Sequence, residues 1–166
     1  MANIHEHGVL SDVLTPKGSG FSGHHGEDFM LANNAQWVGF SMEIGPEGGL
    51  YVLDWHDADI CGSDVLNQET GRIFRIMPTN SLAENWPGRY SDLGKMTDEQ
   101  LANLQTSKSE WHARRARIIL QSRAATGKLA LGATASLRTV YQSNNNPDHR
   151  LRAMWTLHVT GNLPTN

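Results

Sequence analysis

The chain has 166 residues, a length for one domain or two small ones, and a net charge of −3. The lack of a basic excess argues against nucleic-acid binding, and no apolar run reaches the ~18 residues of a membrane helix. The single cysteine, Cys61, excludes an internal disulfide and any Cys-x-x-Cys zinc or haem motif. The N-terminal segment Met1 to Leu10 is polar and His-rich, without the basic-then-apolar pattern of a secretory signal.

Eleven of the 16 glycines fall between Gly8 and Gly71, and the charged helix formers come later, so the chain divides into a β region and an α region. A first, short strand is expected between Asn3 and Leu14, through Val9 and Val13. Residues 37–44 alternate, with Val38, Phe40, Met42 and Ile44 on one face and Gly39, Ser41 and Glu43 on the other. Period 2 marks a strand with one buried face. Gly45-Pro-Glu-Gly-Gly49 is a turn, and Leu50-Tyr-Val-Leu53 is its partner strand, ending at Asp54. Arg72 to Ile76 is a third strand, stopped by Pro78. Residues 79–108 read as a connector with one short capped helix at Thr97 to Leu101.

The α region starts at a Ser109 N-cap, and Trp111, Ala116, Ile119 and Leu120 share a face. Gly127 ends that helix. A second is expected over about Leu129 to Tyr141, with Ala130, Ala133, Leu137 and Val140 on one stripe, and a third over Asp148 to Val159, carrying Leu151, Met154, Trp155 and His158 and ending at Gly161. His112 to Leu120 aligns with His149 to Leu157 at an offset of 149 − 112 = 37 residues, sharing His, Arg, Ala and Leu at four positions. Such a period fits a HEAT-like helical repeat. Arg114, Arg115 and Arg117 form a basic run that reads first as a solvated helix face and second as a contact for an anionic partner.

In an antiparallel hairpin the start of one strand and the end of the next lie at the same edge. The loop Gly18 to Asp28, entering the sheet, and the loop from Asp54 through Asp64 to Thr70, leaving it, are therefore expected on one rim. Loops this long inside a domain are often functional. They would gather His24, His25, Asp28, Asp54, His56, Asp57, Asp59 and Cys61. His56 with Asp54 suits general-base chemistry, the carboxylate orienting the ring. Asp54, Asp57 and Asp59 suit a hard cation such as calcium. Against this stands a local reading, in which Asp and His of Gly-rich loops make turn hydrogen bonds and Asp54 caps backbone amides. Cys61 reads as a packed thiol, since nothing basic beside it would lower its pKa.

The segment Gly18-Ser-Gly-Phe-Ser-Gly-His-His-Gly-Glu-Asp-Phe-Met-Leu-Ala-Asn-Asn34 resembles the last-blade entry loop of bacterial membrane-bound dehydrogenases, propeller proteins similar to the quinone-dependent sugar dehydrogenases. Gly45 to Trp55 resembles their strand-turn-strand core, Thr70 to Ile76 their closing strand, and Arg150 to His158 the HEAT segment that follows. The resemblance implies an α+β chain: a terminal antiparallel propeller blade over residues 1–78, the connector 79–108, and HEAT-like helical repeats over 109–166. It implies that the chain is part of a longer periplasmic or extracytoplasmic protein that oxidises a sugar or alcohol with pyrroloquinoline quinone and calcium. Asp54, His56 and Asp57 would then line the propeller mouth, and His24, His25 and Asp57 would face the cofactor. The implied partners are the remaining blades and helices and a sugar or glycan. The alternative is a non-catalytic module that docks a glycan or a protein.

Overall fold

A computed structural model describes residues 1–59, 64, 69–77, 79 and 88–163. The fold is mixed α+β, with three small antiparallel sheets followed by four helices among the described residues. The chain divides into a strand unit, Met1–Gly45 with Gly49–Asn80, and a helical unit, Ser81–Asn166 with Pro46–Gly48. Among the described residues no helix is long and apolar enough to cross a membrane. Cys61, Pro78 and Pro87 lie outside the described residues.

In the strand unit, β1 (Ala2–Asn3), β2 (Gly8–Val9) and β5 (Met30–Leu31) form one small sheet in the order β1-β2-β5. Between them β3 (Asp12–Lys17) and β4 (Gly20–His25) form a separate hairpin. The loop expected over residues 18–28 is thus corrected: most of it is the second strand of this hairpin. Gly18 is the reason. Its φ of +61° opens a two-residue Gly18-Ser19 turn between paired Lys17 and Gly20, the glycine-first pattern that suits the twist of a tight hairpin.

The third sheet is the meander β6 (Gly39–Ile44), β7 (Leu50–Asp54) and β8 (Arg72–Ile76), with the turn and strand positions expected from the alternation. One facing assignment is corrected. Gly39 pairs with Asp54 and Ser41 with Leu53, so Phe40 is the extra residue of a β-bulge. A bulge reverses the phase of side chains across it, and Phe40 stands 59% exposed instead of joining Met42. The covered face carries Val52, Met42 and Phe74 in register, packed around Trp37 and Val9. Trp37 is wholly buried and meets Phe74 edge to face at 5.3 Å. Gly39 makes room for it, since a Cβ there would sit 2.4 Å from the indole.

The helical unit begins before Ser109. Residues 79–108, expected as a connector, include α1 (Asp98–Asn103), entered through a Thr97–Gln100 capping box. Leu93, Leu101 and Ala102 are core residues, because their apolar side chains fill the spaces between the longer helices. Those are α2 (Glu110–Ala125), α3 (Leu131–Ser143) and α4 (Pro147–Val159). Ser109 caps α2, and Gly127 and Gly161, both at positive φ, follow the ends of α2 and α4. Asp98 ties three elements together: its carboxylate accepts from Arg123 Nη1 at 2.6 Å and from the Ala130 amide at 2.7 Å.

The 37-residue offset is reproduced only in part. The N-caps Ser109 and Asn146 keep it, 146 − 109 = 37, and the pairs Ala116/Ala153 and Leu120/Leu157 are all fully buried. His112 is buried while His149 is half-buried, and Arg152 is buried while Arg115 is exposed. On α4 the buried residues are Arg152, Ala153, Thr156 and Leu157, whereas Leu151 and Trp155 are exposed.

Candidate functional site

The sharpest polar cluster of the strand unit lies where β7 ends. Asp54 follows a run of apolar residues on the covered face, so its side chain points inward and is 2% exposed. A buried carboxylate needs partners, and each oxygen has them. Oδ1 accepts from the Val38 amide at 2.8 Å and the His56 amide at 3.0 Å. Oδ2 receives Arg72 Nε at 2.8 Å and lies 2.5 Å from Arg72 Nη2. Arg72 stands directly opposite Asp54 in the β7–β8 register and also lies over the Phe74 ring at 5.1 Å. Asp54 thereby fixes the entry to β6, the exit from β7 and the start of β8.

His56 is the next residue but one, held at φ +55°, a region that a non-glycine residue adopts only when its surroundings enforce it. Its Nδ1 lies 2.9 Å from Thr70 Oγ1, and that hydroxyl donates to the His56 carbonyl at 3.2 Å. A hydroxyl that donates to the carbonyl must accept from the ring, so the network assigns the proton to Nδ1. Nε2 then carries the lone pair, with the Asn34 side-chain amide 3.4 Å away. The ring is oriented and half-buried, and among the described residues Nε2 meets only this long contact. That is the arrangement of a candidate general base.

Asp57 is buried at 2% exposure, and its Oδ1 accepts from the Asp59 amide at 3.0 Å, while Asp59 itself is exposed. His24 and His25 belong to β4, where they pair with Val13 and Asp12. Both are exposed. His25 lies between two carboxylates, Asp28 at 3.3 Å from Nε2 and Asp12 at 3.8 Å from Nδ1. The structure thus brings Asp54 to the His56 backbone and Asp57 to Asp59. Of the hairpin histidines, His25 has carboxylate partners of its own, Asp12 and Asp28. Among the described residues no group of three or more His, Cys, Asp or Glu side chains is arranged to hold a metal ion. Asp54 in particular faces a guanidinium, and a calcium ion there would meet an occupied carboxylate and a like charge.

Arg72, Thr70 and Asn34 touch this cluster and were not placed in it by the sequence reading. Arg72 had a usable signal: it occupies the same phase as Phe74 and Ile76, so an inward-facing guanidinium was implied opposite the inward-facing Asp54. No family model, curated protein or solved structure matches this chain.

Proposed function

We propose that the chain is part of a propeller dehydrogenase-like protein whose complete form oxidises a sugar or alcohol with a quinone cofactor. The observation that carries the reading is His56, a ring held by Thr70 and Asn34 at a strand end, whose Nε2 could take a proton from a hydroxyl. Oxidation of an alcohol needs such a proton acceptor. Asp54 serves as the positioning residue, holding the His56 backbone and Arg72 together. Pyrroloquinoline quinone would supply the electron sink; calcium, if the parent uses it, would draw its ligands from residues other than Asp54. The β6–β8 meander corresponds in this reading to the core of a terminal blade, and the helices to the start of a repeat array. The test is dye-linked oxidation of sugars and alcohols by the full-length protein with saturating quinone and calcium, compared with its His56→Gln variant.

A second reading is favoured by one observation. Phe40 and Trp55 are about half-exposed and meet edge to face at 6.4 Å beside Leu53 and Ile73 on the uncovered sheet face. Such an aromatic surface suits docking of a glycan or protein partner. Binding without turnover by the full-length protein would select this reading over the first.

A further inference from the structure

The seam between α2 and α4 carries more positive charge than it neutralises. Glu110, Arg114 and Arg117 lie at i, i+4 and i+7 on α2, a spacing that aligns them on one helical face. Opposite them α4 supplies Arg152 and Trp155. Arg152, 9% exposed, donates Nη1 to the Ser107 carbonyl at 2.7 Å and pairs through Nη2 with Glu110. The Arg117 guanidinium lies over the Trp155 ring at 5.0 Å. Its Nε and Nη2 are shielded from water and donate to no acceptor among the described residues, and Arg152 Nε is in the same state.

Three guanidinium groups and one carboxylate leave a formal charge of 3 − 1 = +2 on this seam. Arginine stays protonated in proteins, so the charge is not relieved by losing a proton. Burial, followed by the neighbouring Arg152 and Arg114, pulls the Arg117 pKa below its ordinary value against the opposing pull of Glu110. A cation that is desolvated, short of acceptors and close to like charges is stabilised most by an anion with several oxygens.

We propose that the α2–α4 seam binds a phosphate dianion, free or as a monoester, between Arg114 and Arg117 beside Trp155. The charge matches: a dianion neutralises the +2 of the seam, where a single carboxylate would leave half of it. Arg114 is exposed and can swing onto the ligand. Arg117 is placed by the indole with Nε and Nη2 turned inward, and its remaining nitrogen, Nη1, is the one open to a phosphate oxygen. Trp155, 42% exposed, leaves an apolar surface next to the anion on which the organic part of a monoester can rest. The basic run of α2 is therefore divided in role, with Arg117 turned into the seam and Arg115 exposed, its guanidinium 5.5 Å from the Trp111 ring.

The experiment is a titration of the ¹⁵N-labelled chain at constant ionic strength with inorganic phosphate, with phenyl phosphate and with acetate, following the Trp155 indole N–H resonance, assigned by its loss in Trp155→Phe. Saturable shifts with inorganic phosphate are expected. Phenyl phosphate binding more tightly would assign the site to a monoester, and equal affinity would assign it to free phosphate. Arg114→Gln, on the exposed side of the seam, should weaken binding roughly ten- to hundredfold, the loss of one charge-assisted contact. Arg117→Met should abolish it, with circular dichroism to confirm folding. Lys128→Gln, which removes the same charge from an exposed position between α2 and α3, should leave it unchanged. Shifts that do not saturate, acetate binding as tightly as phosphate, or an Arg114→Gln affinity equal to that of Lys128→Gln would overturn the proposal.

Discussion

Asp54 and Arg72 face each other across β7 and β8, and the guanidinium closes on Oδ2 while Oδ1 accepts the Val38 and His56 amides. One buried carboxylate thus joins three strands and aims the histidine that follows. Removing one partner leaves the other charge unpaired in a low-dielectric setting, which costs about 3–5 kcal/mol. Arg72→Met, which strands the buried carboxylate, is expected to destabilise the strand unit by roughly 3–5 kcal/mol, and Asp54→Asn by less, because the Arg72 side chain is 35% exposed and can be hydrated. The double change Asp54→Leu with Arg72→Met should recover a large part of the loss, because no charge is then stranded. Urea denaturation followed by tryptophan fluorescence measures both. Equal or additive losses in the double variant would count against the pair.

Trp37 and Gly39 make a second dependence. Gly39 is set against the indole so closely that any side chain must displace it. Gly39→Ala is expected to cost about 1–3 kcal/mol through overpacking, and Trp37→Ala about 3–5 kcal/mol through the cavity it leaves. The same denaturation experiment, read by far-ultraviolet circular dichroism, decides both. A neutral Gly39→Ala would mean that the bulge can shift without loss.

The helical unit should lose stability in acid in two steps. His112 is buried, with Nδ1 2.7 Å from Ser109 Oγ and Nε2 3.2 Å from the Arg89 carbonyl. Burial holds its pKa below the usual 6.5, outweighing the Arg89 carbonyl bond, which raises it. The unfolded chain therefore takes up this proton at a higher pH than the folded one. Stability is full above about pH 6.5 and declines as pH falls below it toward the folded pKa. For Asp98, burial works to raise the pKa. The Arg123 hydrogen bond, the Ala130 amide and the Arg123 charge together outweigh it and hold the group below 3.8. Its contribution is present above pH 3.8 and is lost as pH falls through the folded pKa. Thermal unfolding against pH should show both declines, and His112→Gln should remove the first alone.

The uncovered face of the β6–β8 sheet predicts self-association. Phe40, Leu53, Trp55 and Ile73 are exposed together, Ile73 at 71%. Contiguous apolar surface of this kind drives contact with other molecules, and β8, which among the described residues pairs only with β7, adds an open sheet edge. Phe40→Thr with Ile73→Thr should reduce the association constant seen in sedimentation velocity at least severalfold. An unchanged profile would place the association elsewhere.

The strands of the meander and all the main helices were legible because alternation, turn glycines and capping residues act locally. Phe40 was misread because a bulge is an event of pairing, visible only once Gly39 meets Asp54 and Ser41 meets Leu53. The β4 strand was taken for a loop because its sequence is Gly-rich and its large apolar residue, Phe21, is exposed, and the single strand expected through Val9 and Val13 is two, β2 and β3, in separate sheets. In the candidate site, the Asp54–His56 neighbourhood follows from their separation by one residue. The roles of Thr70 and Asn34 depend on contacts spanning 14 and 22 residues, which no local pattern encodes. Arg152 was hidden for another reason: repeat alignment paired it with Arg115, yet one guanidinium is buried and the other exposed.

Dye-linked oxidation by the full-length protein, with saturating pyrroloquinoline quinone and calcium, is the most direct test of His56 as the proton acceptor. Turnover of a sugar or alcohol is predicted, falling roughly 10²- to 10⁴-fold in kcat for His56→Gln, the usual contribution of a general base, with folding retained by circular dichroism. No oxidation of any sugar or alcohol under those conditions, or a His56→Gln variant as active as the unchanged protein, would contradict it.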